Sequence, residues 1–369
     1  MLFFLSWLKN PRKNPARYIS RRCLKCNMWP YLYSIVVLAV VLSVFKTHGQ
    51  PGVSRFEFAL VSDLDKESRD SQQFLWRSYF KKGTLVRVPP LRQLSSADQF
   101  RIEWANETIL ESKSSYRNRS MELSELVQYK HLLLTMCDIT GVVFKIKPDK
   151  NGQPQVLQRW ALADGDGEQA KPFKSEWATV KDGLLYIGSI GKEWTIVHHN
   201  KSQVLHRNSE WIKTVDLNGR IENIDWGSVY QAVRTATNTS WPGYLIHEAV
   251  HFDKFARRWI FLPRKESKTM YNPTTDEYQG TNLLITTAED FSDIKVSRIG
   301  PLEREYGFTS VRQLEEDLFV ALKVREVNGE TATKMTVFAL NGTLYMDPAF
   351  VNVDSVNKFE GLEINYVYA

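Results

Sequence analysis

Cysteine is nearly missing from this 369-residue chain: only Cys23, Cys26 and Cys137 occur. One cysteine beyond residue 26 cannot build a disulfide framework, so any folded part must be held by its core. Acidic residues are absent from positions 1–27, which carry Lys9, Arg12, Lys13, Arg17, Arg21, Arg22 and Lys25. Without those seven, 41 basic residues face 42 acids, so the formal charge of +6 belongs to a tail. A body this close to neutrality lacks the electrostatic footprint of a nucleic-acid-binding domain. Glycine (19) and proline (14) are too few for a low-complexity chain, and 43% hydrophobic residues exclude disorder. Helical periodicity is scarce as well, with Gly227 to Thr237 its best stretch. No alternation of strands with long helices occurs, which excludes a doubly wound α/β fold.

One long hydrophobic run is present. Met28 to Phe45 carries no charge and reaches the lower limit of a membrane span, with Trp29, Tyr31 and Tyr33 at its leading end. Positive residues on its N-terminal side place that side in the cytoplasm. The expected organisation is a basic cytosolic tail (1–27), a transmembrane signal-anchor (28–46), a stem (47–55) and a lumenal domain (56–369). Ser-Val-Phe-Lys-Thr-His after the run offers no small-x-small cleavage site; a cleaved anchor would give a secreted protein. Asn-x-Ser/Thr triplets at Asn106, Asn118, Asn200, Asn238 and Asn341 all follow the run, as a lumenal body requires. Cys23 and Cys26 are placed for palmitoylation beside the membrane, and Cys137 reads as a small buried apolar residue.

From about Arg55 onward the pattern is short apolar strands and turns, including Phe56 to Val61, Gly141 to Ile146, Gly183 to Gly188, Trp259 to Leu262 and Leu318 to Leu322. A repeat runs through them. An oxygen-bearing residue opens a short apolar strand, a turn follows, and a second strongly apolar strand comes after it. The starts are Ser124, Glu176, Glu248, Thr309 and Glu360. Each spacing holds a four-stranded sheet with loops, and radial stacking of such sheets makes a β-propeller. Little chain follows Glu360, so the fifth unit is expected to be completed by Phe56 to Val61. The predicted fold class is therefore all-β, a five-bladed propeller behind an N-terminal transmembrane helix. If each marked residue opens the innermost strand of a blade, five oxygen donors meet on one axis. Three of them are acids, which repel strongly unless a cation sits among them. Hard oxygen ligands and flexible coordination favour Ca²⁺.

At these residues the chain resembles the calcium-activated nucleotidases, also called bed-bug-type apyrases. The resemblance is carried by Ser62 to Arg69, Met121 to Leu126, Ala163 to Gly167, Gly191 to Trp194, Gly243 to Glu248, Arg258 to Arg264 and Phe359 to Gly361. It implies a five-bladed propeller with one Ca²⁺ in its central tunnel, held at Ser124, Glu176, Glu248, Thr309 and Glu360. It also implies hydrolysis of nucleoside diphosphates (UDP, GDP, ADP) and of triphosphates, with an ER or Golgi membrane location. Asp63, Asp138 and Asp164 are then candidates to position the attacking water, Asp63 first. Asp65 and Asp166 support them, and Arg69, Arg264 and Lys192 are candidate phosphate clamps. Thr309 stands where relatives have Ser, Ile139 where they can have Arg, and Gln279 where they can have Lys. Expected partners are nucleoside di- and triphosphates, the membrane through residues 28–46 and a second copy in a homodimer, but no nucleic acid. The rival from another class is a non-catalytic, calcium-stabilised propeller scaffold.

Some motifs promise more than their spacing allows. His247-Glu248-Ala249-Val250-His251 matches a zinc-protease signature, but Tyr244, Ile246, Glu248, Val250 and Phe252 alternate as a strand does. Four residues along a strand separate the histidines by about 13 Å, too far to share one zinc. Gly188 to Glu193 has the wrong spacing for a P-loop. Asp164, Asp166 and Glu168 begin an EF-hand that Gln169 and Ser175 do not continue. Most of the tryptophans read as blade packing, with one or two left to stack on a nucleobase.

Overall fold

The computed structural model describes residues 54–88, 97–198, 201–351 and 357–367. Contacts divide the chain into Met1–Gly52 and Val53–Ala369. The expected tail (1–27), the expected anchor (28–46) and nearly all of the expected stem lie outside the described residues. Among the described residues no helix is long and apolar enough to cross a membrane.

Twenty-three strands are found among the described residues. The first four are β1 (Arg55–Asp63), β2 (Arg69–Asp70), β3 (Leu75–Arg87) and β4 (Phe100–Ser112). Blade one follows as β5 (Leu123–Tyr129), β6 (Leu132–Cys137), β7 (Val142–Pro148) and β8 (Pro154–Ala161). Blade two takes β9 (Trp177–Lys181) and β10 (Leu184–Gly188), then β13 (Trp211–Val215) and β14 (Ile221–Asp225). Between β10 and β13 a separate hairpin is inserted, β11 (Trp194–His198) with β12 (Lys201–His206). Helix α1 (Gly227–Ala236), the one helical stretch foreseen in the sequence, leads to blade three. That blade is β15 (Tyr244–Asp253), β16 (Arg258–Ser267), β17 (Leu283–Ala288) and β18 (Lys295–Arg298), with a single helical turn α2 (Pro273–Asp276) between β16 and β17. Blade four is β19 (Tyr306–Glu315), β20 (Leu318–Val327), β21 (Glu330–Ala339) and β22 (Leu344–Phe350).

Blade five closes the ring as the sequence reading expected. Its innermost strand is β23 (Lys358–Ile364), paired antiparallel with β1, which pairs with β3, which pairs with β4. The five inner strands β5, β9, β15, β19 and β23 pack side by side around one axis. The fold is thus an all-β, five-bladed propeller.

Its core is divided among the gaps between blades. Phe58, Leu60, Val320 and Val337 fill the gap between blades five and four, and Ala59, Val61, Leu126 and Phe144 the one between five and one. Leu134 and Ile187 lie between blades one and two, Trp177 and Phe261 between two and three, and Leu262 and Phe319 between three and four. A strand squeezed between two blades has no wet face. Every residue of β6, Leu-Leu-Leu-Thr-Met-Cys, is accordingly buried, and this strand reads as a continuous apolar run. Burying each large side chain stabilises by about 1.5–3 kcal/mol, spread over five interfaces.

Some inner contacts leave no room for a side chain. A Cβ added to Gly307 at the start of β19 would lie 1.9 Å from the Arg264 carbonyl oxygen on β16. Gly307→Ala is expected to destabilise by about 3 kcal/mol or more, since backbone must move. Gly152→Asn, in a turn where φ is +78° and nothing lies within 4 Å, is expected to cost under about 1 kcal/mol. Denaturant midpoints of the two variants test this; equal midpoints would refute the close approach.

Candidate functional site

The inner strands share a local irregularity. In β5, Leu123 pairs with Cys137 and Glu125 with Met136, so Ser124 is an extra residue in the ladder. Glu248 is the extra residue between His247 and Ala249 in β15, and Thr309 between Phe308 and Ser310 in β19. Glu360 is extra between Phe359 and Gly361 in β23. The Glu176 N–H donates to the Gly188 carbonyl at 2.8 Å although Gly188 already pairs with Trp177, the same two-against-one arrangement at the mouth of β9. A bulge of this kind bends the strand and re-aims one side chain. Five blades therefore present one re-aimed residue each, and these are the five that the sequence repeat marks. All five are buried.

Glu176, Glu248 and Glu360 line one cavity of about 450 Å³ at the tunnel mouth. The buried Ser124 Oγ and Thr309 Oγ1 have no hydrogen-bond partner among the described residues. Three cations face the acids. Arg264 donates from Nη1 to Glu248 Oε2 at 2.6 Å and to Glu360 Oε1 at 3.2 Å, and from Nη2 to Glu326 Oε2 at 2.9 Å. Lys174 pairs with Glu176 and, at 2.5 Å, with Asp138. Lys358 reaches Asp65 at 2.8 Å, Asp63 at 3.0 Å and both Glu326 and Glu360 at 3.5 Å.

Burial and pairing pull the acids apart in proton affinity. Burial pushes Glu176 up to about 8 against the opposing pull of Lys174, with Glu248 and Asp138 adding repulsion. Glu360 is raised well above the carboxylate range, by burial first, in spite of Lys358 and Arg264. Burial raises Asp138, whereas for Asp63 burial is outweighed by Lys358 and by the Asp65 N–H, and its carboxyl is lowered. Burial works against the charge of Arg264, but Glu248, Glu360 and Glu326 together raise it well above its usual value.

The structure gathers Asp63, Asp65, Asp138 and Arg264 with the three acids in one cavity. It places the other sequence candidates elsewhere. Asp164 is buried and accepts from Asn208 Nδ2 at 3.2 Å and Lys171 Nζ at 3.5 Å. Asp166 is exposed in its loop and accepts from the Glu168 N–H and Gln169 Nε2, each at 3.1 Å. Arg69 is exposed at the start of β2. Lys192 is buried, donates to the Glu193 carbonyl at 2.9 Å and lies 4.5 Å over the Tyr271 ring. None of these four lines the cavity.

Several cavity residues were not singled out from the sequence. Lys174 and Lys358 each stand two positions before a repeat residue, as Lys174-Ser-Glu176 and Lys358-Phe-Glu360. Lys174 precedes β9 while Lys358 opens β23, so the shared spacing is a feature of the sequence and not of strand alternation. Glu122 holds the same place before Ser124; it pairs with Arg119, and burial pushes it up to about 8. Asp63, Asp65 and Glu122 also offer carboxylate oxygens within 4.8 Å of one another. Arg119 and Glu326 enter from a loop and from the end of β20, which no local pattern announces.

The two histidines of the protease-like motif lie on strand β15. His247 packs on Tyr230 and Phe261, and His251 on Phe319. Burial drives both down to about 3. Cys137 is buried too, its thiol pushed up to about 11 by burial.

Residues 64–365 match the family model described as Apyrase. The chain is 38% identical over 317 residues to soluble calcium-activated nucleotidase 1 of Rattus norvegicus, covering 85% of this chain and 74% of that protein. It is 36% identical to an apyrase of Cimex lectularius over 84% of this chain and 82% of that one. With an apyrase of Phlebotomus duboscqi the identity is 33%, over 89% and 95%. On the match across almost the whole propeller and the identity to these enzymes, the chain belongs to the apyrase family and is an enzyme of that family.

Proposed function

We propose that the protein hydrolyses nucleoside diphosphates of the UDP, GDP and ADP class, and triphosphates as a second class, to the monophosphate and phosphate in a calcium-dependent reaction at the tunnel mouth. One observation carries the reading: five inner strands each turn one oxygen-bearing residue out of register, and the three acids among them share a cavity with Lys174, Arg264 and Lys358, which pair with them. The donor set fits the ion. Glu176, Glu248 and Glu360 supply hard carboxylate oxygens, and Ser124 and Thr309 supply oxygens without a hydrogen-bond partner among the described residues. Bound there, Ca²⁺ would polarise phosphate oxygens and offset charge developing on the transferring group.

The remaining roles fall to side chains on the page. Arg264, Lys358 and Lys174 line the cavity as cations able to hold phosphate oxygens, the guanidinium bidentately. Asp63, held ionised beside Lys358, orients the water whose oxygen attacks the terminal phosphorus as the bridging P–O bond breaks. Asp138, the carboxyl that burial raises, is placed to take the proton that water gives up. Among the described sequon residues, Asn106, Asn118, Asn238 and Asn341 are all exposed, which supports the lumenal, glycosylated form foreseen in the sequence. Phosphate release from UDP, GDP and ADP, measured with calcium and then with chelator, is the test. Release that falls to background with chelator is expected; no release under either condition would leave only a binding scaffold.

A further inference from the structure

The phosphate end of the cavity is lined by charges, yet one wall is aromatic. Trp194 opens β11 in the hairpin that stands outside the five blades, and it lines the same cavity as Glu176 and Lys174. Trp194 is 40% exposed, whereas Trp177, Trp226 and Trp259 are spent on the core between blades two and three. The exposed Trp104 and Trp241 lie away from this cavity. The His206 ring stacks nearly parallel to the indole, with centroids 6.2 Å apart and planes 11° apart. Lys171 Nζ lies 5.2 Å from the indole centroid, and Lys171 lines the cavity beside Pro172 and Ile139.

We infer that Trp194 is the shelf on which the nucleobase of the substrate stacks while the phosphates reach the charged end of the cavity. The inference deepens the nucleotidase reading and rests on it. Stacking reads a π face and not a hydrogen-bonding edge, so a shelf of this kind accepts purines and pyrimidines alike. Ile139 and Pro172 beside it add apolar surface without donors or acceptors that would select one base. Larger purine faces overlap the indole more, so ADP and GDP should gain more from it than UDP.

The test compares wild type, Trp194→Ala and Trp194→Phe at fixed free calcium. KM and kcat are measured for ADP and UDP, and tripolyphosphate, which has no base, is measured as a competitive inhibitor. Trp194→Ala is expected to raise KM for ADP about tenfold or more, in line with the loss of one base–aromatic stack. The rise should be smaller for UDP and absent from the tripolyphosphate inhibition constant, with most of it restored in Trp194→Phe. An unchanged nucleotide KM would overturn the shelf. So would an equal weakening of tripolyphosphate, because the hairpin would then merely shape the cavity. A wild-type protein that cleaves no nucleotide would remove the nucleotidase reading itself, a failure visible before any variant is compared.

Discussion

Glu248→Gln is expected to lose calcium binding and nucleotide hydrolysis together, each by on the order of a hundredfold. The change keeps the shape of the side chain and removes one of the three carboxylate charges proposed to hold the ion, and hard divalent cations depend on that charge. It should spare the fold. Arg264, now without Glu248, still has Glu360 and Glu326 at 3.2 and 2.9 Å, so no buried cation is stranded. Calorimetric titration with calcium and a phosphate-release assay, run on protein with wild-type circular dichroism, measure the two losses. Full activity at ordinary calcium would remove Glu248 from the site.

Arg264→Ala should do something different, because Arg264 bridges Glu248 and Glu360, two of the proposed ligands. Deleting it leaves the buried Glu248 without its ion-pair partner and Glu360 with Lys358 alone, and breaking a buried pair from one side costs about 3–5 kcal/mol. The melting temperature without calcium should therefore fall by roughly 5–10 °C. Saturating calcium should restore most of that fall, since a ligand that binds only the folded state stabilises it by mass action. Phosphate release should stay low even then, because the proposed phosphate clamp is gone. A melting-temperature deficit independent of calcium would mean that Arg264 is only a structural partner of the three acids.

The architecture was legible because a propeller repeats itself. Four blades write the same pattern of marked residue, inner strand, turn and buried strand, and the fifth marked residue opens an inner strand whose partner is β1. Completion of the last blade by Phe56 to Val61 followed from the same arithmetic and is seen in β1 and β23. What the repeat could not convey is how one extra residue per inner strand re-aims the marked side chains, since a bulge is a property of the pairing. Arg119 and Glu326 come from segments with no periodic signature, so only the closed ring puts them beside Lys358 and Asp65. Asp164 and Asp166 lie outside the cavity. Acid-rich, glycine-rich loops resemble ligand loops, but the Asp166 carboxylate turns back on its own chain, and the adjacent Gly165 carbonyl accepts a hydrogen bond from the buried Lys213. Trp194 is one tryptophan of 11, and only its place on the inserted hairpin distinguishes it.

Pairing β1 with β23 also sets a timetable for synthesis. At 5–20 residues per second, roughly 15–60 seconds pass between translation of Arg55 and of Ile364. Throughout that wait β1 has one unsatisfied edge, the kind of template on which nascent chains cross-pair. Lys358 and Glu360 arrive with β23, so a polypeptide stopped before it lacks two residues of the proposed centre. On the proposed function, hydrolytic competence would be switched on by the same event that seals the ring.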